Sequence, residues 1–540
     1  MLAVAAAAFG YGIYVAGGPG RAQRALVSDY VHAWAQGAYA RMYSLLDRPS
    51  RQRISETQFV TDYQHAAATA TLSSVRPLRV GASHGGVIGV SMLARTRVFG
   101  RLRQTLLVPL DTSGSNPTVR FASTLLFPGL RAGERLSRRV QLAPRAALLA
   151  RDGTPLAAGP SRSSPIPDVA SQIAGVLGPI PSAQAAAFTA AGYPPDARVG
   201  TDGLERIFER QLAGTPGGTL LAGSRALART TPKPGHAVTT TISPPIERAA
   251  VAAMGANYAG IAAMQPRTGQ VLALAGVAFS ALQPPGSTMK MITATGALEA
   301  GIVKLTDEFP IQTSSTISGF TLQNAGGEAC GGTFLNAFAV SCNSVFAPLG
   351  AKLGAKRLVD IAERFGFNQP PSIPGAAEPT IPSAAKIGDD LTVGSSAIGQ
   401  GMVQASALEM TDVGATIAMG GRRPIPTLQM SQPPRLVHVT SPHVADEVQR
   451  MMIAVVQFGT GTAAAIPGVT VAGKTGTAEL TDTAAPGASS ASNTDAWFVG
   501  YAPVGAPKIV VGALFPNQGA GGQTAAPAVR QVLEAGLQAK

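Results

Sequence analysis

Residues 283–292 read QPPGSTMKMI, and both the fold and the chemistry of the chain turn on how this stretch is read. Pro284, Pro285 and Gly286 close an extended segment and lead into TMKMITATGALEAG (288–301), a helical pattern, so Ser287 falls at a helix start. On a helix, positions three apart share a face, which lets the Lys290 amine reach the Ser287 hydroxyl. The helix N-terminus adds unpaired backbone N–H groups and a positive field. A serine hydroxyl hardly ionises at neutral pH, and a lysine can act as its base only where burial and a neighbouring cation lower its pKa. Spacing alone does not single out this pair. Ser383-Ala384-Ala385-Lys386 repeats it after Pro382.

Two further motifs change the reading. Ser341-Cys342-Asn343 ends an apolar helical stretch 54 residues after Ser287, and Lys474-Thr475-Gly476-Thr477 follows the strand-like GVTVAG (468–473), 131 residues after Asn343. Ser-x-x-Lys, Ser-x-Asn and Lys-Thr-Gly in this order form the signature set of the penicillin-recognising serine acyltransferases. PRTGQVLALA (266–275), SSAIGQGMVQASALEM (395–410) and DAWFVGYAP (495–503) extend the match. Together they resemble the class B penicillin-binding proteins, the D,D-transpeptidases of the bacterial cell wall. FPGLRAGERLSRRVQLAPRAALLARDGTPLA (127–157) and GLERIFERQLAGTPG (203–217) are similar to that class's pedestal, or dimerisation, domain. The N-terminal folded part resembles the NTF2-like domain of the methicillin-resistance type.

The resemblance implies an α+β multidomain chain. Residues 1–20 would be a membrane anchor or signal segment, 21–127 an NTF2-like α+β cone, 128–235 the pedestal, and 236–540 a transpeptidase domain of antiparallel sheet and helices. It assigns Ser287 as nucleophile, Lys290 as general base, Ser341 as proton relay to the departing D-alanine amine and Asn343 as holder of the substrate amide. Lys474 would supply charge near the substrate carboxylate and depress the pKa of Lys290. Thr475 and Thr477, either side of Gly476, would donate to that carboxylate. Backbone N–H groups of Ser287 and Thr477 would form the oxyanion hole. No metal and no cofactor are called for. The implied partners are peptidoglycan stem peptides, β-lactam antibiotics, the membrane and a membrane glycosyltransferase. The alternatives are a D,D-carboxypeptidase or β-lactamase-like hydrolase, and a catalytically silent β-lactam sensor or scaffold.

The remaining features agree with several folded units. The 540 residues are 45% hydrophobic and 14% charged, a globular composition. Val27, Tyr30, Val31, Trp34, Ala38, Met42 and Leu45 recur at helical spacing and predict one long amphipathic helix to about Asp47. Ser55-Glu56-Thr57-Gln58 has the form of a capping box ahead of a second helix. Segments 87–93, 96–110 and 119–127 predict strands of a curved antiparallel sheet. The net charge of +13 is almost wholly N-terminal, since residues 1–160 hold 19 Arg against 7 Asp and Glu. Solvated strand-face arginines, anionic lipid headgroups and anionic wall polymers are the readings this leaves open. Nucleic acid is disfavoured, because RTRVFGRLRQ (95–104) alternates like a strand and no nucleic-acid motif accompanies it. Leu2–Gly20 carries no charged side chain and is about long enough to span a bilayer core; a signal-anchor or a cleaved signal would put the domains outside the cytoplasm, and a buried apolar helix is the third reading. Cys330 and Cys342 are the two cysteines; an oxidising compartment permits a bridge, although a helix between them would hold its ends about 12 Å apart.

Overall fold

The computed structural model describes residues 20–479 and 491–539. The anchor or signal segment expected at residues 1–20 therefore lies outside the described residues except for Gly20. Among the described residues no helix is long and apolar enough to cross a membrane. The chain forms two compact units with interleaved segments. Residues up to 146, 176–201 and 208–236 make the first, and 147–175, 202–207 and 237–540 make the second. The stretch 128–235 is thus divided between them.

In the first unit, helices α1 (Arg21–Ala35), α2 (Tyr39–Ser44), α3 (Arg48–Arg53) and α4 (Glu56–Ala70) pack on an antiparallel sheet. Its order is β1 (Leu72–His84), β2 (Val87–Thr96), β3 (Gly100–Asp111), β4 (Thr118–Val119). Alternate residues Ile88, Val90, Met92, Leu106 and Val108 turn inward against Val27, Tyr30, Trp34, Phe59 and Tyr63. The single long helix expected to Asp47 is broken after Ala35, where Gly37 takes a φ of 70° and α2 starts anew. Ser55 caps α4 by accepting from the Gln58 N–H at 3.1 Å, whereas the Gln58 side chain donates to Asp62, so the box closes from one side only. The strand expected over 119–127 is corrected: β4 stops at Val119 and Ser123–Leu126 is a 3-10 turn. This apolar run is buried by its turn rather than by alternation, with Leu125 and Phe127 fully enclosed. Strand β1 went unforeseen because Pro77, Arg76, Arg79 and Gly81 disguise it, and irregularities at three points of its register erase the period of two. A second sheet, β5 (Leu136–Gln141), β6 (Gly217–Ala222) and β7 (Arg225–Thr230), has β6 in its centre.

The second unit contains α5 (Pro244–Met254), β8 (Gly260–Gln265), β9 (Gln270–Gly276), α6 (Lys290–Glu299), β10 (Glu308–Gln312), β11 (Cys330–Thr333), α7 (Phe334–Ala339) and α8 (Asn343–Leu353). Then follow α9 (Ala407–Ala418), β12 (Ala472–Glu479), β13 (Thr494–Ala502), β14 (Ile509–Phe515) and α10 (Ala525–Gln538). Five antiparallel strands lie in the order β9-β8-β14-β13-β12. Ile246 and Ala250 of α5 and Val529, Val532 and Leu533 of α10 join one core with Ile261, Val511 and Phe498. On the α9 side the approach is close: a Cβ on Gly512 would stand 2.4 Å from Thr411 Oγ1, and one on Gly414 would stand 2.5 Å from Val499. Every residue of β13 and β14 is buried, so β12 forms an edge of a rigid sheet.

Candidate active site

Ser287 lies in a 3-10 turn, Gly286–Met289, that runs directly into α6, as the Pro-Pro-Gly punctuation implies. Gly286 has a φ of 52°, and a Cβ there would meet the Thr477 carbonyl and the Ala478 nitrogen at 2.9 and 3.0 Å. A Cβ on Gly399, whose φ is 76°, would stand 2.1 Å from the Gly286 oxygen. Glycine at both positions therefore lets the edge strand β12 and the loop after Ala397 close on the Ser287 turn. Ser287 itself is partly exposed, and among the described residues its hydroxyl has no hydrogen-bond partner.

Behind it sit two lysines with no exposed surface, Lys290 on α6 and Lys474 on β12. The Lys290 Nζ reaches the Ser341 carbonyl at 2.7 Å, Asn343 Oδ1 at 2.8 Å and Ser341 Oγ at 3.2 Å. The Lys474 Nζ donates to the same Ser341 Oγ at 2.9 Å and to the Thr475 carbonyl at 3.0 Å. The three sequence motifs thus converge on the Ser341 hydroxyl. Phe346 and Phe338 wall the lysines, their ring centres 5.4 Å from Lys290 Nζ and 5.5 Å from Lys474 Nζ.

Among the described residues neither lysine has a carboxylate within ion-pair distance, so burial acts on both without compensation. Desolvation, and then the Lys474 charge, hold the Lys290 amine well below its ordinary 10.5. Desolvation lowers Lys474 to about 7. Lys290 Nζ is the donor in all three contacts, to the Ser341 carbonyl, Asn343 Oδ1 and Ser341 Oγ, and these hold the amine behind Ser287.

The chain around Ser341 is held from several sides. Ser341 has a φ of 63°, a left-handed conformation that a non-glycine residue keeps only when its surroundings impose it. Asn343 donates from Nδ2 to the Gln323 carbonyl at 3.1 Å, and the Ser344 N–H donates to Asn324 Oδ1 at 2.8 Å. Cys342 is bridged to Cys330 at the start of β11, with the two Cα atoms 5.8 Å apart. A helix between the cysteines requires the flanking chain to fold back for a bridge, and it does so here. Helix α7 has only 6 residues, and the Cys342 N–H turns back to the Ala337 carbonyl at 2.8 Å.

Thr475 and Thr477 lie on β12 beside the Ser287 turn, with Gly476 between them; a Cβ on Gly476 would meet the Pro285 carbonyl at 2.8 Å. No local pattern marks Thr460, whose hydroxyl meets Thr475 Oγ1 at 2.5 Å, or Asn324 in its polar loop. The second Ser-x-x-Lys is a different object. Ser383 and Lys386 are both exposed on the short helix Ala384–Ile387, where Ser383 caps the turn with its carbonyl.

A mixed α+β unit whose antiparallel sheet presents Lys-Thr-Gly on its edge strand, beside a serine turn and two charge-starved lysines, defines a serine acyltransferase of the penicillin-interacting fold. Residues 259–534 match the family described as the penicillin binding protein transpeptidase domain, and 151–240 match the penicillin-binding protein dimerisation domain. The chain belongs to the class B penicillin-binding proteins, which join these two domains. It is similar to the peptidoglycan D,D-transpeptidase PbpA of Mycobacterium tuberculosis, 32% identical over 367 residues that cover 56% of this chain and 73% of that one. It is also similar to PbpA of Mycolicibacterium smegmatis, 32% identical over 402 residues, 62% of this chain and 76% of the relative. Among solved structures, the ceftriaxone acyl-enzyme of M. tuberculosis penicillin-binding protein A superposes with a TM-score of 0.60 at 27% identity, over 73% of this chain and 99% of that one.

Proposed function

We infer that the protein is a peptidoglycan D,D-transpeptidase that cross-links stem peptides through an acyl-enzyme on Ser287. The observation that carries the assignment of residues is the meeting of two buried, carboxylate-free lysines on one hydroxyl behind an open serine. Neutral Lys290 takes the Ser287 proton as the oxygen attacks the carbonyl of the penultimate D-alanine. The tetrahedral anion is held by the backbone N–H groups of Ser287 and Thr477, which an edge strand is free to offer. Collapse breaks the peptide bond. The departing amine receives its proton through Ser341, which Lys474 and Lys290 flank as donor and source. Asn343 holds the substrate amide, and Lys474, Thr475 and Thr477 hold its carboxylate. The amine of a second stem peptide then attacks the ester, gives its proton to Lys290 and restores Ser287. A β-lactam enters the same first half-reaction, and its carboxylate takes the same cradle.

The division into a membrane-anchored N-terminus, an NTF2-like spacer at 21–127, a pedestal at 128–235 and a transpeptidase domain at 236–540 is part of this reading. It rests on the uncharged segment Leu2–Gly20, the α+β build of the first unit and the family matches. The domains then face the extracytoplasmic side, where the Cys330–Cys342 bridge is at home, with a membrane glycosyltransferase as partner. Intact-protein mass after mixing with benzylpenicillin tests the assignment. A lasting adduct that Ser287→Ala cannot form is expected. An adduct in the variant overturns the nucleophile, and an adduct lost within seconds as penicillin is consumed favours a hydrolase.

A further inference from the structure

Five of the 19 arginines of residues 1–160 gather, in the structure, on one surface. Inward residues of β1–β3 fill the core, and the register puts the others on an open face: Arg95 stands directly across from Arg101, and Leu93 stands between Arg76 and Arg103. Arg79 lies across from Ser91 on the same side. All five arginines are exposed, and among the described residues none forms an ion pair or a side-chain hydrogen bond. Residues 72–111 contain one acid, Asp111, at the far end of β3, where it is occupied by Ser113. Like charges directly opposite on a sheet destabilise it, so the face carries a standing repulsion that an anion would relieve. Residues 1–160 contain no lysine at all. Every cation of the face is therefore a guanidinium, whose planar fork matches a phosphate oxygen pair.

Two observations choose among anions. Leu107, 56% exposed, stands on this same face in line with Arg101 and Arg103. A polymer in solution has no use for it, whereas a bilayer interface takes up an apolar side chain flanked by basic ones. Gly20, the last residue of the uncharged stretch, lies near the β1–β2 turn, where a Cβ on it would stand 3.8 Å from the Ser83 Cβ, so that stretch joins the unit at one end of this sheet.

We propose that the open face of β1–β3 is a docking surface for the phosphate headgroups of an anionic lipid bilayer, with Leu107 entering the interface. It rests on the membrane-anchored reading above. Docking would fix the first unit against the membrane rather than leave it tethered by a linker.

The test uses the full chain reconstituted into vesicles of phosphatidylcholine, alone or mixed with phosphatidylglycerol. Arginine modification by phenylglyoxal is followed peptide by peptide in the mass spectrometer, and flotation reports membrane attachment. Peptides carrying Arg76–Arg103 should react about five-fold more slowly, or slower still, in the anionic vesicles. The protection should vanish at high salt and in Arg101→Ser/Arg103→Ser, and should weaken in Leu107→Ser, with penicillin acylation unchanged in all variants. Equal reactivity in the two lipids, with flotation intact, overturns the docking face and leaves the anchor. Failure to float with either overturns both. Protection by a soluble glycerol-phosphate polymer that is indifferent to Leu107→Ser assigns the face to a polymer and overturns the bilayer.

Discussion

Removing the charge of Lys474 should move the pH dependence of acylation in a way that burial alone cannot produce. The productive state needs Lys290 neutral and Lys474 cationic. As pH rises, the amine with the lower pKa, Lys290, loses its proton first and acylation rises. Lys474 loses its charge near its value of about 7, and attraction for the substrate carboxylate then falls. The second-order acylation rate constant of the free enzyme is therefore bell-shaped. The two nitrogens reach one hydroxyl through legs of 3.2 and 2.9 Å, which bounds their separation at about 6 Å. At an effective dielectric of about 20, two unit charges at that distance repel by about 2.8 kcal/mol, roughly two pH units.

Lys474→Met should therefore carry the rising limb up by roughly two units and erase the falling limb. Lys474→Arg keeps a charge that does not titrate in this range, so it should leave the rising limb in place while also erasing the falling one. The assay is benzylpenicillin acylation, followed by intact mass from about pH 5 to about pH 10. Overall rates fall in both variants as the carboxylate cradle changes, so the position of the limb is diagnostic and its height is not. A Lys474→Met profile whose rising limb coincides with the wild type would refute the reasoning, leaving desolvation as the sole cause of the low Lys290 pKa.

Glu247 on α5 is fully buried; its Oε2 accepts from the Leu274 N–H at 2.7 Å, its Oε1 has no partner, and burial raises it to about 7. A raised acid binds more protons folded than unfolded, so stability falls as pH climbs from about 4.5 to about 7 and is level above. At about 1.4 kcal/mol per unit the loss is about 3 kcal/mol, and Glu247→Gln should remove most of it, with urea midpoints of variant and wild type diverging across that window. Coincident midpoints at neutral pH would count against it. Gly399→Ala forces a Cβ to 2.1 Å from the Gly286 carbonyl at a left-handed φ; acylation should slow by at least about ten-fold, because displacing the Ser287 turn by even 1 Å can cost about a hundred-fold. Acylation at the wild-type rate would show that the turn tolerates it. Replacing Cys330 and Cys342 by Ala opens a loop with a sequence separation of 12 and should lower the unfolding free energy by about 3 kcal/mol in denaturant titration, a change under about 0.5 kcal/mol being the contrary result.

The cluster of motif residues was more legible in this sequence than the architecture. Ser287, Lys290, Ser341, Asn343 and Lys474 announce themselves because each motif packs its reactive groups within four residues, and local spacing survives folding. Strand β13 was legible through the resemblance of DAWFVGYAP, whereas β14, an apolar run buried on both faces, was not singled out. What escaped was fixed by distant partners. Thr460 touches Thr475 from 15 residues away, and Asn324 steadies the Ser344 N–H from 20 away. β1 hides behind its register irregularities; Gly37 is itself the local stop of α1, a left-handed glycine past its end, but the apolar stripe that continues beyond it masks the break. The hydroxyl of Ser287 is a further case. Helical spacing permits a bond to Lys290, yet the amine's contacts go to Ser341 and Asn343, a competition visible only once all three motifs are assembled.

The choice of cation separates the two uses of positive charge in this chain. Arginine outnumbers lysine 34 to 9, yet among the described residues the two fully buried cations are both lysines. Where an arginine is largely enclosed it has a carboxylate: Arg162 has Glu205, Arg145 has Glu209 and Arg423 has Asp412. A guanidinium cannot shed its proton at any pH the fold survives, so burying it demands a counter-charge. A lysine buried without one answers by giving up its proton, and a site that needs a base at neutral pH exploits this response. Replacing Lys290 by Arg would keep length and charge yet remove the only property the site uses. The arginines of β1–β3 make the complementary case: they are exposed, cannot be neutralised by titration, and so present a charge that only an anion can offset. Catalysis and docking thus draw on opposite properties of the two basic side chains.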